Sequence, residues 1–166
     1  MKEKKTNAMR LLDTAKIAYR VLSYDYDDQD FSGTKVAAQI GLDGHQVFKT
    51  LVTQSPKGVF VVCCIPVEQK LDLKALAKAA GQKSLAMLPL ANLLATTGYV
   101  RGGCSPMGMK KKYDTYIDES ALLCTEMAVS AGVRGQQIVL APRGLIAAAQ
   151  AKTGAFATDV EDEDTQ

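Results

Sequence analysis

A chain of 166 residues with 47% hydrophobic and 23% charged side chains has room for one domain with a substantial core. The 20 Lys plus Arg nearly balance the 18 Asp plus Glu, so the net charge of +2 says little about partners by itself, and a basic body ahead of an acidic tail is compatible with nucleic acid or with a solvated surface. A single His and no CxxC pair exclude a zinc-ligand cluster, and the adjacent Cys63–Cys64 pair inside an apolar run argues against a disulfide framework.

The first predicted element is a helix in "TNAMRLLDTA", with Met9, Leu11, Leu12 and Ala15 as its stripe and Thr6 or Asn7 as its cap. "AYRVLSYDYDD" then alternates as a strand and runs into an acidic loop. Ser32 is placed to cap a short helix, "GTKVAAQIG", that Gly41 stops. Strands are expected at 47–53 and 59–65, joined by a hairpin turn in "QSPKG". Asp72 caps a helix in "KLDLKALAKAAG", and Gly81 ends it. "LPLANLLATTG" predicts another short helix with Pro89 in its first turn. After the Gly- and Pro-rich loop "YVRGGCSPMGMKKKYD", strands are expected at about 115–118, 126–130 and 136–140, and a last helix from Pro142 to about Lys152. The stretch "TDVEDEDTQ" holds five acids and no base, which predicts a disordered acidic tail over 161–166 behind a single domain over 1–160. Helices and strands alternate without a regular βαβ beat. The expected fold is therefore mixed α/β, a barrel-like β-sheet with helices packed outside.

In "VFKTLV", Lys49 shares a strand face with Val47 and Leu51, while Thr50 shares the other with Phe48 and Val52. A lysine there either snorkels its head to water or presents a cation to a pocket. In "GYVRGGCSPMG", the Gly102–Gly103 pair permits close backbone approach and an anion-binding nest. That loop is no Walker motif, and proline directly after Ser105 excludes a nucleophile elbow. Lys110, Lys111 and Lys112 follow as a solvated run or a phosphate-steering patch. In "VSAGVRG", Ser130 stands at a strand end before a glycine turn. Asp25, Asp27, Asp28 and Asp30 match no EF-hand spacing, and His45 is expected to be a turn residue. No acid–base pair stands out, so spacing alone supports a single α/β domain with a polar pocket.

"VFKTLV", "GYVRGGCSPMGMKK" and "VSAGVRG", in this order, resemble the bacterial YbaK/EbsC group of aminoacyl-tRNA deacylases, related to the editing domain inserted in bacterial prolyl-tRNA synthetases. The resemblance runs from about Thr6 to about Val160. It implies a compact mixed α/β editing fold that removes cysteine from tRNA(Pro) in trans, beside prolyl-tRNA synthetase, with no metal or other cofactor. It assigns Lys49 and the Gly102–Gly103 backbone to catalysis, and Tyr24, Phe31, Thr50 and Ser130 to substrate binding. Ser105, just past the glycine pair, is expected among the substrate-binding hydroxyls. Arg101 and Cys104 depart from the small or aliphatic residues expected in that loop. Two alternatives stay open: a deacylase for Ala-tRNA(Pro) or another small amino acid, and a non-catalytic aminoacyl- or nucleotide-binding regulator. The polar N-terminus and the absence of a bilayer-length apolar run predict a cytoplasmic protein with no membrane partner.

Overall fold

The computed structural model describes residues 4–160, so the expected acidic tail lies outside the described residues. Helix α1, Asn7–Thr14, starts at Thr6, whose Oγ1 accepts from the Met9 N–H and donates to the Ala131 carbonyl. The cap thus also pins the helix to the far end of the chain. Its stripe, Ala8, Met9 and Leu12, is buried. Helix α2, Gly33–Ile40, begins at Ser32 as expected, yet the Ser32 hydroxyl caps nothing and pairs instead with the Thr34 hydroxyl.

A five-stranded mixed sheet forms the centre. The long pair β2, Phe48–Gln54, and β3, Phe60–Pro66, is an antiparallel hairpin. Beside β3 run β6, Asp114–Asp118, and then β9, Lys152–Gly154, both parallel. The two-residue β5, Ala86–Met87, pairs with the end of β2. A second sheet holds β1, Arg20–Ser23, β8, Gln136–Leu140, and β7, Met127–Ser130, in that order. A short third sheet joins β4, Gln69–Leu71, to β10, Ala157–Asp159.

Strand alternation splits the core. Cys64 points with Phe48 and Ile117 toward α1 and the last helix, α5, Pro142–Ala149. Cys63 points with Val61 and Ile65 toward Leu76 and Ala77 of α3, Leu73–Ala79. The adjacent cysteines therefore serve two cores, and all four cysteines are free. Asp118, at the end of β6, is buried and ties three backbone amides together. Its Oδ1 accepts from Phe156 and Ala157, and its Oδ2 accepts from Ser120.

The mixed α/β class matches the expectation, but the barrel does not close. A parallel bridge between Val47 and Ala128 is what brings β2 against β7, and the sheets remain open. The last helix also stops earlier than expected, at Ala149. Gln150 takes a left-handed conformation, φ 51°, which turns the chain back so that Lys152 enters β9. No helix among the described residues is long and apolar enough to cross a membrane.

Candidate active site

The sheets leave a cavity of about 370 Å³ between them, within the roughly 300–1,000 Å³ common for small-molecule sites. Its floor is a gap in sheet pairing. Along its length β2 is bonded to β3 on one side. On the other side it meets β5 only at Thr53 and Gln54, and β7 only at the Val47 bridge. Every residue from Val47 to Val52 lines the cavity, as expected when a strand edge borders it. The Val47 carbonyl accepts from Val67 on the β3 side, whereas the Val52 carbonyl accepts from Leu88 on the opposite side. Main-chain groups alternate along a strand, so the N–H and C=O of Thr50 turn toward the open edge. The Thr50 hydroxyl lies 3.6 Å from the Cys64 sulfur.

Lys49 lines the same cavity, half-buried, on the face it shares with Leu51 and opposite Ile65. Among the described residues no carboxylate or hydrogen-bond acceptor pairs with its ammonium. Burial alone acts on it and lowers its pKa below the ordinary 10.5. An unpaired, partly desolvated cation beside Val47, Phe48, Leu51 and Val52 is costly to the fold and available to an anionic or carbonyl ligand.

The glycine loop forms the facing wall. Gly102 has φ +83°, and a Cβ there would stand 2.5 Å from Phe31 Cδ1. The position therefore admits glycine on both conformational and steric grounds. Phe31 and Gly102 both line the cavity, with Tyr24 and Ser130. The Tyr24 N–H donates to the Gly135 carbonyl, and the Ser130 hydroxyl accepts from the Gly132 N–H. Both residues are thereby fixed to the glycine turn between β7 and β8.

Two expectations need correction. The Gly103 N–H donates to the Val100 carbonyl at 2.9 Å, and Gly103 packs on the Val133–Arg134 backbone outside the cavity lining. Its amide closes a turn and is not free for a ligand, whereas the Gly102 N–H enters no hydrogen bond among the described residues. Ser105 is fully buried, bonded to the Met107 N–H, and does not reach the cavity. It supports the loop from behind.

Other polar groups sort in the same way. Burial pushes the Cys104 thiol up to about 12, so this cavity-lining side chain stays protonated and is a poor nucleophile. Asp27 and Asp30 accept from the amides of Gln29 and Ser32, so these two carboxylates fold their own loop. Lys110 and Lys112 donate to the carbonyls of Ala95 and Ala149, near the C-termini of α4, Leu93–Thr97, and of α5.

Sequence reasoning passed over Gln137. It is 6% exposed, lines the cavity, and its Oε1 has no hydrogen-bond partner among the described residues. The signal in sequence was weak: Gln137 stands behind another glutamine at the start of "QQIVLA", ahead of the apolar run and not inside it.

A model of the aminoacyl-tRNA editing domain matches residues 31–148. A protein of Enterococcus faecalis, provisionally named Cys-tRNA(Pro)/Cys-tRNA(Cys) deacylase EbsC, is 47% identical over 144 residues, which cover 87% of this chain and 88% of that protein. Two solved structures share the fold at low sequence identity. One, described only as hypothetical protein APE2540, has a TM-score of 0.84 at 18% identity and covers 92% of this chain and 100% of its own. The other, provisionally described as a trans-editing enzyme for prolyl-tRNA synthetase, has a TM-score of 0.78 at 21% identity, covering 94% and 99%. With a family model over most of its length and a relative this similar, the chain belongs to the aminoacyl-tRNA editing domain family.

Proposed function

We propose that this protein is a cytoplasmic deacylase that acts in trans to free tRNA(Pro) from cysteine, in transient association with prolyl-tRNA synthetase. The observation that carries it is the unpaired ammonium of Lys49, held half-buried in the cavity wall. The aminoacyl ester of the RNA 3′ end enters the cavity. Lys49 and the Gly102 N–H then stabilise the negative charge that develops on the ester oxygen. Thr50 and Gln137 offer acceptors to the substrate's α-amino group, while Tyr24, Phe31 and Ser130 shape the cavity around the amino acid and ribose.

The nucleophile is the substrate's own thiol. Its sulfur attacks the ester carbonyl carbon, the carbon–oxygen bond to the ribose breaks, and the ribose oxygen takes up the proton that the thiol gave up. The products are a cysteine thiolactone and tRNA with a free terminal hydroxyl. Holding thiol and carbonyl in line supplies on the order of 7–11 kcal/mol at the extreme. That accounts for a site whose own candidate nucleophiles are a protonated Cys104 and an enclosed Ser105.

The name of the E. faecalis relative joins cysteine to two different tRNAs. That fits recognition of the amino acid and the acceptor end over the tRNA body. A net charge of +2 fits it as well, and a shallow salt dependence follows. The test is deacylation of tRNA(Pro) charged with cysteine, alanine or proline. Cysteine is expected to be released at least tenfold faster than alanine, and proline not at all. Faster release of alanine would assign the site to a water-based deacylase. Tight binding of an aminoacyl-adenosine analogue without release of any of the three would make the protein a binding module.

A further inference from the structure

Arg101 and Arg134 converge on one ring at the rim of the cavity. The Arg134 guanidinium carbon lies 4.4 Å from the Phe31 ring centre, and that of Arg101 lies 5.4 Å from it. The Arg134 Nε donates to the Arg101 carbonyl at 2.8 Å, which fastens the turn after β7 to the glycine loop. Arg134 has one carboxylate, Asp28, at 3.9 Å, the outer edge of ion-pair reach. Arg101 has none among the described residues. Two like charges sharing one aromatic ring repel, and a single distant carboxylate offsets only part of that. Asp25, Asp27 and Asp30 also line the cavity, but Asp27 and Asp30 accept from amides of their own loop and Asp30 faces Lys35, so among the described residues no carboxylate pairs with the Arg101 guanidinium. Planar guanidinium forks stacked on a ring match the paired oxygens of a phosphate.

Position makes the match specific. Arg101 directly precedes Gly102, whose amide is assigned to the ester. In a 3′-terminal nucleotide one ribose carries the aminoacyl ester on one side and the 5′-phosphate on the other. A ribose whose ester sits at Gly102 thus presents its phosphate within one residue's reach. We infer that Arg101, stacked on Phe31 and braced by Arg134, binds the 5′-phosphate of the terminal nucleotide. This rests on the deacylase function proposed above and extends it: the site separates the end of an RNA from a free aminoacyl ester, without reading a base.

The test compares two non-hydrolysable probes, 3′-deoxy-3′-(cysteinylamido)adenosine with and without a 5′-phosphate, by calorimetric titration of wild type and Arg101→Ala. The wild type is expected to bind the phosphorylated probe about tenfold more tightly. Arg101→Ala is expected to abolish that gap while binding the unphosphorylated probe as wild type does, which also certifies its fold. An Arg101→Lys variant, charged but without the fork, should fall between. No phosphate preference in the wild type, or a preference that survives Arg101→Ala, overturns the inference. Loss of affinity for both probes in Arg101→Ala overturns it too, because Arg101 would then only be supporting Phe31. A phosphate gap in a protein that deacylates nothing would keep the phosphate site and overturn the deacylase function instead.

Discussion

Lys49→Met is expected to lower single-turnover deacylation of Cys-tRNA(Pro) by about a hundredfold to a thousandfold, the range for removing one donor to a developing oxyanion, while leaving Tm unchanged or higher. The two halves follow from one fact. The ammonium is half-buried with no partner among the described residues, so the folded chain carries an uncompensated charge. For a lysine whose pKa is lowered on folding, the penalty is present at neutral pH, where the group is charged. It disappears as pH rises through the lowered value toward 10.5. Methionine keeps the stem and removes the charge at every pH, so stability has nothing to lose there. Activity is expected to show the opposite dependence: under the proposed role it requires the cation and is lost on the alkaline side sooner than an ordinary lysine would dictate. Lys49→Arg, which stays charged, is expected to move that limb upward. A Lys49→Met variant with lowered Tm and full turnover would make the residue a structural one.

Gly102→Ala is expected to lower kcat/KM about a hundredfold. An L-residue held at φ +83° is strained by about 1–2 kcal/mol. The new methyl also meets Phe31 Cδ1 at 2.5 Å, so either the ring or the loop must move. A displacement on the order of 1 Å in a positioning element is enough for a loss of this size. Gly58→Ala is the control. Gly58 has nearly the same conformation, φ +85°, in the hairpin between β2 and β3, with its nearest neighbouring atom 4.0 Å away. It should lose only the strain, about 1–2 kcal/mol by denaturant unfolding, and keep its turnover. Equal turnover losses in the two variants would trace both to backbone strain rather than to the Gly102–Phe31 contact.

What the sequence made legible followed from periodicity. The hairpin of β2 and β3 and the Asp72-capped helix α3 are long or well signed enough for pattern and turn residues to agree. The lysine in "VFKTLV" stood out because it broke a period-2 rule. The strands β4, β5, β9 and β10 are two or three residues long. A segment that short has no period, and these become strands only because distant partners pair with them. The glycine loop stood out in sequence, and Gly102 lines the cavity, but the loop was not resolved within itself. Composition cannot tell that the Gly103 amide closes a turn on Val100 while that of Gly102 stays open, since both are glycines in a row. Ser105 misled for a related reason: a hydroxyl beside a site is indistinguishable in sequence from one behind it. Arg134 was hidden because its role comes from a contact across 33 residues, to the Arg101 carbonyl.

The chemistry proposed for the cavity comes down to which sulfur does the work, and one measurement addresses it. tRNA(Pro) charged with cysteine is compared, under single-turnover conditions with the wild-type protein, with the same tRNA charged with S-methylcysteine. Methylation keeps the ester and adds one methyl group to the sulfur, which removes the internal nucleophile. Release of cysteine with no acceleration for S-methylcysteine is the expected result. Release of both at similar rates would mean that water or a protein group attacks the ester, and would contradict substrate-assisted cleavage in this cavity.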